Sequence, residues 1–156
     1  MKPHFISELK EFCCVPYIED GKWDGEHWLT LTKLIVRLED GSLVTVPSGF
    51  KTNFGSLPRV TKSVLSRMGN SLRGYVFHDW SYSKNTTLNL KQRECDAILY
   101  TLSREDGEGY FSAKAINYGL ACGGWTAYKK SSPRVKKVDR RVVEEIAVSN
   151  GYKLAI

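Results

Sequence analysis

His78 and Asp79 are adjacent, Tyr82 follows His78 by four residues, and Asp96 lies a short distance beyond. On a helix, neighbours point about 100° apart, whereas residues four apart share a face. His78 and Tyr82 therefore fall on one stripe and Asp79 is turned aside. If Asp96 sits on a following helix that packs back antiparallel, it can face His78. A carboxylate bonded to one imidazole nitrogen fixes the tautomer and leaves the other nitrogen as a base. Tyr82 can steady the same network. Asp79 is then free to ligate a divalent cation, which would polarise a carbonyl or phosphoryl oxygen while His78 activates water. The same residues also read as a structural network, because a helix pair can bury one His–Asp hydrogen bond for stability alone. His4, near the terminus, and His27, beside Trp28, read as structural or exposed.

The elements that must position these groups follow from apolar spacing. Leu72, Tyr75, Val76 and Trp80 predict a helix over Ser71 to Ser83. Asn85-Thr86-Thr87 ends it. Asn89 to Ser103 predicts a second helix, with Leu90, Ile98, Leu99 and Leu102 toward the core. After the Asp106–Gly109 turn, Ser112 to Ala121 begins a third, with Gly123-Gly124 at its end. Val138 to Ser149 predicts a last amphipathic helix stopped by Asn150-Gly151.

The preceding half reads as β. Glu11 to Ile18 predicts a short strand ended by Glu19-Asp20-Gly21, and His27 to Leu38 a longer one. Asp40-Gly41 signals a two-residue hairpin turn, with Ser42 to Val46 returning and Pro47 stopping it. Ser48 to Arg59 is a loop in which Gly49 and Gly55 allow backbone geometries closed to other residues. Pro58 marks the start of a short helix. The expected fold is α+β: a small antiparallel β element in the N-terminal half packed on three to four helices. Residues 1–128 form the domain that carries the motifs. The stretch 129–156, a basic segment and the final helix, is appended to it.

The 156 residues, 42% hydrophobic, suffice for one domain with a real core. No apolar run is long enough to span a membrane, and the N-terminus lacks the pattern of a secretory signal. Cys13, Cys14, Cys95 and Cys122 show no C-x-x-C spacing, so zinc is not indicated. Four reduced thiols and a cytoplasmic setting are expected. The formal net charge of +6 is concentrated in Lys129, Lys130, Arg134, Lys136, Lys137, Arg140 and Arg141. This cluster matches no nucleic-acid-binding motif and reads first as a solvated face, so a nucleic-acid partner is not expected.

The segment Val46-Pro47-Ser48-Gly49-Phe50-Lys51-Thr52-Asn53-Phe54-Gly55-Ser56-Leu57-Pro58-Arg59 resembles the signature V-P-x-G-F-x-T-D-F-A-S-I-P-R. That signature opens a phage and prophage family of unknown function, domain family 1353. The family continues with H-D-x-x-Y, matched by His78, Asp79 and Tyr82, and an Asp on the next helix, matched by Asp96. Tyr118 to Trp125 resembles its closing segment, so the likeness runs from about Leu43 to Tyr128. The chain departs from the family at Asn53, where Asp is favoured. If that position helps bind a metal with Asp79, a neutral carbonyl oxygen suits calcium better than magnesium or zinc.

The same His-Asp/Tyr/Asp arrangement is locally similar to the paired-helix centre of calcium-dependent secreted phospholipases. There the His is the base, the adjacent Asp binds calcium, and the Tyr and later Asp orient the His. Ser81 stands where that motif has Cys, and the glycine- and cysteine-rich calcium loop is absent. These resemblances imply a metal-assisted hydrolase of esters, amides or phosphoesters. His78, Asp96 and Tyr82 would be catalytic, with calcium on Asp79 and Asn53. The alternative they imply is a non-catalytic phage protein. It would be either a tail-associated virion component or a host-interaction or anti-defence protein docking through its basic C-terminal region. The expected location is accordingly the host cytoplasm or the virion.

Overall fold

The computed structural model describes residues 1–54, 70–84, 86, 88–123 and 128, with positions 122 and 123 described in backbone only. Among the described residues, six strands precede three α-helices, an α+β arrangement. The strands are β1 (His4–Phe5), β2 (Cys14–Glu19), β3 (Lys22–Thr30), β4 (Leu34–Arg37), β5 (Leu43–Val46) and β6 (Lys51–Thr52). The helices are α1 (Leu72–Tyr82), α2 (Gln92–Glu105) and α3 (Tyr110–Gly123). Two three-stranded sheets form, in the orders β1-β4-β5 and β2-β3-β6, with every pairing antiparallel.

The β4–β5 hairpin forms where Asp40-Gly41 predicts it, with Leu34 opposite Val46 and Arg37 opposite Leu43. Its loop holds three residues rather than two, because Leu38 still bonds Ser42 across the ladder at 2.9 Å. Gly41 takes φ 85° there, and Asp40 accepts from the Ser42 N–H and hydroxyl. The two-residue turn is Asp20-Gly21, joining β2 to β3. Both residues have positive φ, 52° and 73°, as a twist-matched tight hairpin requires. The strand expected over His27 to Leu38 is two strands in different sheets. The Thr30 hydroxyl donates to the Pro47 carbonyl and accepts from the Phe50 N–H, so pairing in that sheet ends there. Likewise β2 starts only at Cys14, after a tight helical turn over Leu9–Glu11.

Period-two alternation directs Leu34, Val36, Val44 and Val46 into the core, and Leu43 and Thr45 outward. Against this face pack Tyr75, Val76 and Phe77 of α1, then Ile98, Leu99 and Leu102 of α2, then Ile116 and Leu120 of α3. Leu72, Trp80 and Leu90 lie at the core's edge. Gly74 lets α1 approach α2 closely: a Cβ there would sit 2.8 Å from Leu99 Cδ1 and 3.1 Å from Ser103 Oγ. Arg73 ties three segments together. Its Nε donates to Asp106 Oδ2 at 2.9 Å, and Nη2 completes a bidentate grip on Oδ1. Nη1 donates to the Ser7 carbonyl at 2.6 Å, and the guanidinium lies over the Phe5 ring. Among the described residues, no helix is long and apolar enough to cross a membrane.

Candidate functional site

Helix α1 carries His78 on the stripe that faces α2, and α2 returns alongside it with Asp96. His78 Nε2 lies 2.8 Å from Asp96 Oδ1. A carboxylate can only accept, so in the neutral imidazole this bond places the proton on Nε2 and leaves Nδ1 as a lone pair. The Tyr82 hydroxyl donates to the same Asp96 oxygen at 2.5 Å, and its ring stacks on His78 with centroids 4.0 Å apart. Burial, and then the Asp96 carboxylate beside it, push the Tyr82 phenol far above its ordinary value, so it stays a neutral donor. The sequence-predicted trio His78, Asp96 and Tyr82 is thus one hydrogen-bonded unit.

That unit is deeply placed: His78 is 1% exposed and Asp96 4%. Nδ1 of His78 is buried and has no hydrogen-bond partner among the described residues. An orphaned buried polar atom costs about 1–3 kcal/mol, so this nitrogen does nothing for the fold. It is available to accept a proton or hydrogen bond from a water or ligand.

Asp79 turns away from this unit, as its helical position requires. Its Oδ2 accepts from the Thr52 hydroxyl at 2.5 Å and from the Asn53 N–H at 3.2 Å. The Thr52 hydroxyl in turn accepts from the Phe54 N–H at 3.1 Å. Phe54 has φ 55°, a left-handed backbone that a bulky side chain adopts at a cost, and its ring is buried beside Trp28. Asp79 and Asn53 are therefore neighbours, joined through the Asn53 backbone. Together they bring one carboxylate, and that carboxylate organises the loop. Among the described residues, no three His, Cys, Asp or Glu side chains gather as a cation site.

Thr52 escaped the sequence reading, although the spacing Phe50-x-Thr52-x-Phe54 carries its signal: two apolar anchors flank a small hydroxyl. Tyr75 gives no such signal, since its apolar spacing marks it only as core. Its ring is core, but its hydroxyl is buried without a partner among the described residues. His27 instead pairs with Asp24 at 2.6 Å on the exposed part of β3, away from the helices. Cys13, Cys14 and Cys95 take part in no disulfide among the described residues. Gly55 to Arg59 with the helix expected at Pro58, the Cys122 side chain, Trp125, the basic cluster from Lys129 and the helix expected over Val138 to Ser149 lie outside the described residues.

No curated protein and no solved structure matches the chain. A family description, "Protein of unknown function (DUF1353)", matches residues 28–119. The match begins at Trp28 in β3, upstream of Leu43 where the motif resemblance starts, and it includes the Thr30 contacts with Pro47 and Phe50. It takes in β4 to β6, α1, α2, and α3 as far as Gly119, with every residue of the His78–Asp96–Tyr82 and Asp79–Thr52–Asn53 contacts inside it. Spanning more than half of the chain, the match establishes that this protein belongs to the DUF1353 family, proteins of unknown function.

Proposed function

We propose that the protein is a hydrolase whose general base is Nδ1 of His78, acting on an ester, amide or phosphoester. The observation that carries this reading is the bare, buried Nδ1 on an imidazole whose other nitrogen is held by Asp96. Asp96 fixes the tautomer and stabilises the imidazolium formed when His78 takes a proton from water. Tyr82, donating to the same oxygen, holds the carboxylate in place. Positioned bases of this kind contribute roughly 10²–10⁴-fold to rate. The test is turnover of p-nitrophenyl acetate, a peptide anilide and bis-p-nitrophenyl phosphate by the wild-type protein and His78→Ala. Turnover of one class, reduced at least about 10²-fold in the variant, supports the reading. No turnover of any class overturns it.

Calcium at Asp79 and Asn53 is a separate proposal. Its support is the adjacency of the two residues beside α1. The cation would draw its remaining oxygens from water and substrate, and the part played by His78 does not depend on it.

The burial of His78 favours a second reading, in which the trio is a structural network in a non-catalytic binding protein. That would suit a phage virion component or a protein that engages a host target. Helix α3 offers such a protein a surface, since Phe111 is 85% exposed and Tyr118 75%. Under this reading His78→Ala lowers stability and leaves partner binding intact in the folded fraction.

A further inference from the structure

Two buried polar atoms on α1 lack partners among the described residues: Nδ1 of His78 and the hydroxyl of Tyr75. Both residues are almost fully enclosed, at 1% and 2% exposure. They lie three residues apart on one helix. At 100° per residue, Tyr75 projects between His78, about 60° to one side, and Asp79, about 40° to the other. Each orphan costs stability, and two within one helical turn, one of them on the candidate base itself, is an expensive arrangement for a fold to keep. They are also complementary, since Nδ1 can only accept while the phenol can donate.

We propose that the Tyr75 hydroxyl is the hydrogen-bond donor of the same site and binds the carbonyl oxygen of a neutral ester or amide substrate. This rests on the reading of His78 as the base. In the reaction, water gives a proton to Nδ1 of His78 and its oxygen adds to the carbonyl carbon. The carbonyl π pair moves onto oxygen, and that oxygen is held by the Tyr75 O–H, which keeps its proton throughout. When the intermediate collapses, the bond to the leaving group breaks and His78 returns the proton to the departing oxygen or nitrogen. Burial and the nearby charges of Glu108 and Asp79 raise the Tyr75 phenol well above its ordinary value, consistent with a donor that does not ionise.

The experiment uses the intact protein and acetamide, whose N–H can meet Nδ1 while its carbonyl meets Tyr75. Acetamide binding is read from the ¹⁵N resonance of His78 Nδ1 in wild type, Tyr75→Phe and Tyr82→Phe. The expected result is a saturable shift in wild type, with affinity at least tenfold weaker in Tyr75→Phe. The melting temperature of that variant should be unchanged or raised, because an unpaired hydroxyl has been removed. If Tyr75→Phe binds acetamide as wild type does, or if wild type does not bind it, the proposal is overturned. Tyr82→Phe should keep the Tyr75-dependent shift, since its hydroxyl is spent on Asp96. Loss of the shift there equal to that in Tyr75→Phe would remove the special role of Tyr75. Ester hydrolysis read in parallel separates the two claims. Turnover that Tyr75→Phe leaves intact overturns the donor and spares the base. Tyr75-dependent acetamide binding without turnover in wild type overturns the hydrolase and leaves the paired atoms as a binding site.

Discussion

The Thr52 hydroxyl donates to Asp79 Oδ2 at 2.5 Å while accepting from the Phe54 N–H, so one buried side chain links α1 to a loop held in a left-handed conformation. Thr52→Val removes both bonds and leaves a buried amide unpaired. A loss of about 1–3 kcal/mol in urea unfolding is expected. Asp79→Asn keeps an acceptor oxygen for Thr52 and Asn53 and should cost less. Equal losses for the two variants would mean that charge, not geometry, holds the loop.

The same contact frames the calcium test. The calcium proposal expects a higher melting temperature in calcium than in EDTA, and coincident melting temperatures in calcium, magnesium, manganese, zinc and EDTA would overturn it. Binding to the native state would raise the melting temperature. A rise in calcium that Asp79→Asn abolishes would establish Asp79 as a cation ligand.

Gly74→Ala should destabilise although it lies inside a helix. Alanine gains about 1 kcal/mol over glycine in helix propensity. The new Cβ, however, meets Leu99 Cδ1 at 2.8 Å, and Leu99 is fully buried with no room to turn. Overpacking of this kind costs about 1–3 kcal/mol. Chemical denaturation should show a net loss, and partial recovery in Gly74→Ala/Leu99→Val. A more stable single variant would show that the helices separate freely.

Local spacing revealed what local physics decides. The His78–Tyr82 stripe, the antiparallel return of α2 with Asp96, the Asp40-Gly41 hairpin and the three helices were all legible from period and turn chemistry. Features closed by distant partners were not. The break after Thr30 depends on Pro47 and Phe50, and the role of Thr52 depends on Asp79. Asp106 reads as a turn residue until Arg73 is found on it. The orphaned state of Nδ1 and of the Tyr75 hydroxyl is a property of what surrounds them, and no spacing along the chain encodes it.

Arg73 and Asp106 form a nearly inaccessible ion pair that also anchors the Ser7 carbonyl. Removing one partner leaves the other charge buried, which costs about 3–5 kcal/mol. Arg73→Ala and Asp106→Ala should each show a loss of this size. Arg73→Lys should recover little, since an ammonium cannot reproduce the bidentate grip. Near-additivity of the two alanine variants in a double-mutant cycle would refute the coupling.

Burial pushes the Cys14 thiol up to about 12 and also raises that of Cys13. The thiolate is the reactive form, so both should react slowly at pH 8 in the native protein. Cys95 is fully buried and should be protected by the fold itself. Iodoacetamide labelling followed by mass spectrometry should find all three slow in the native state and fast in urea. Rapid native labelling of Cys14 would place that strand in solvent.

Tyr82→Phe separates stability from chemistry within the trio. It removes a hydrogen bond to a buried carboxylate, for which a loss of about 1.5–3 kcal/mol is expected. The His78–Asp96 bond remains, so the Nε2–H tautomer should persist and any hydrolytic activity should fall only modestly. Asp96→Asn is the sharper change. If its amide turns its nitrogen toward Nε2, His78 must accept there, and the proton moves to Nδ1. The imidazole would then be a donor where the proposed mechanism needs a base. ¹⁵N spectra should therefore show a tautomer change in Asp96→Asn and none in Tyr82→Phe, with activity lost in the first and largely kept in the second. If both variants keep the Nε2–H tautomer and the same activity, Asp96 does not orient His78 for chemistry, and the trio is a structural network.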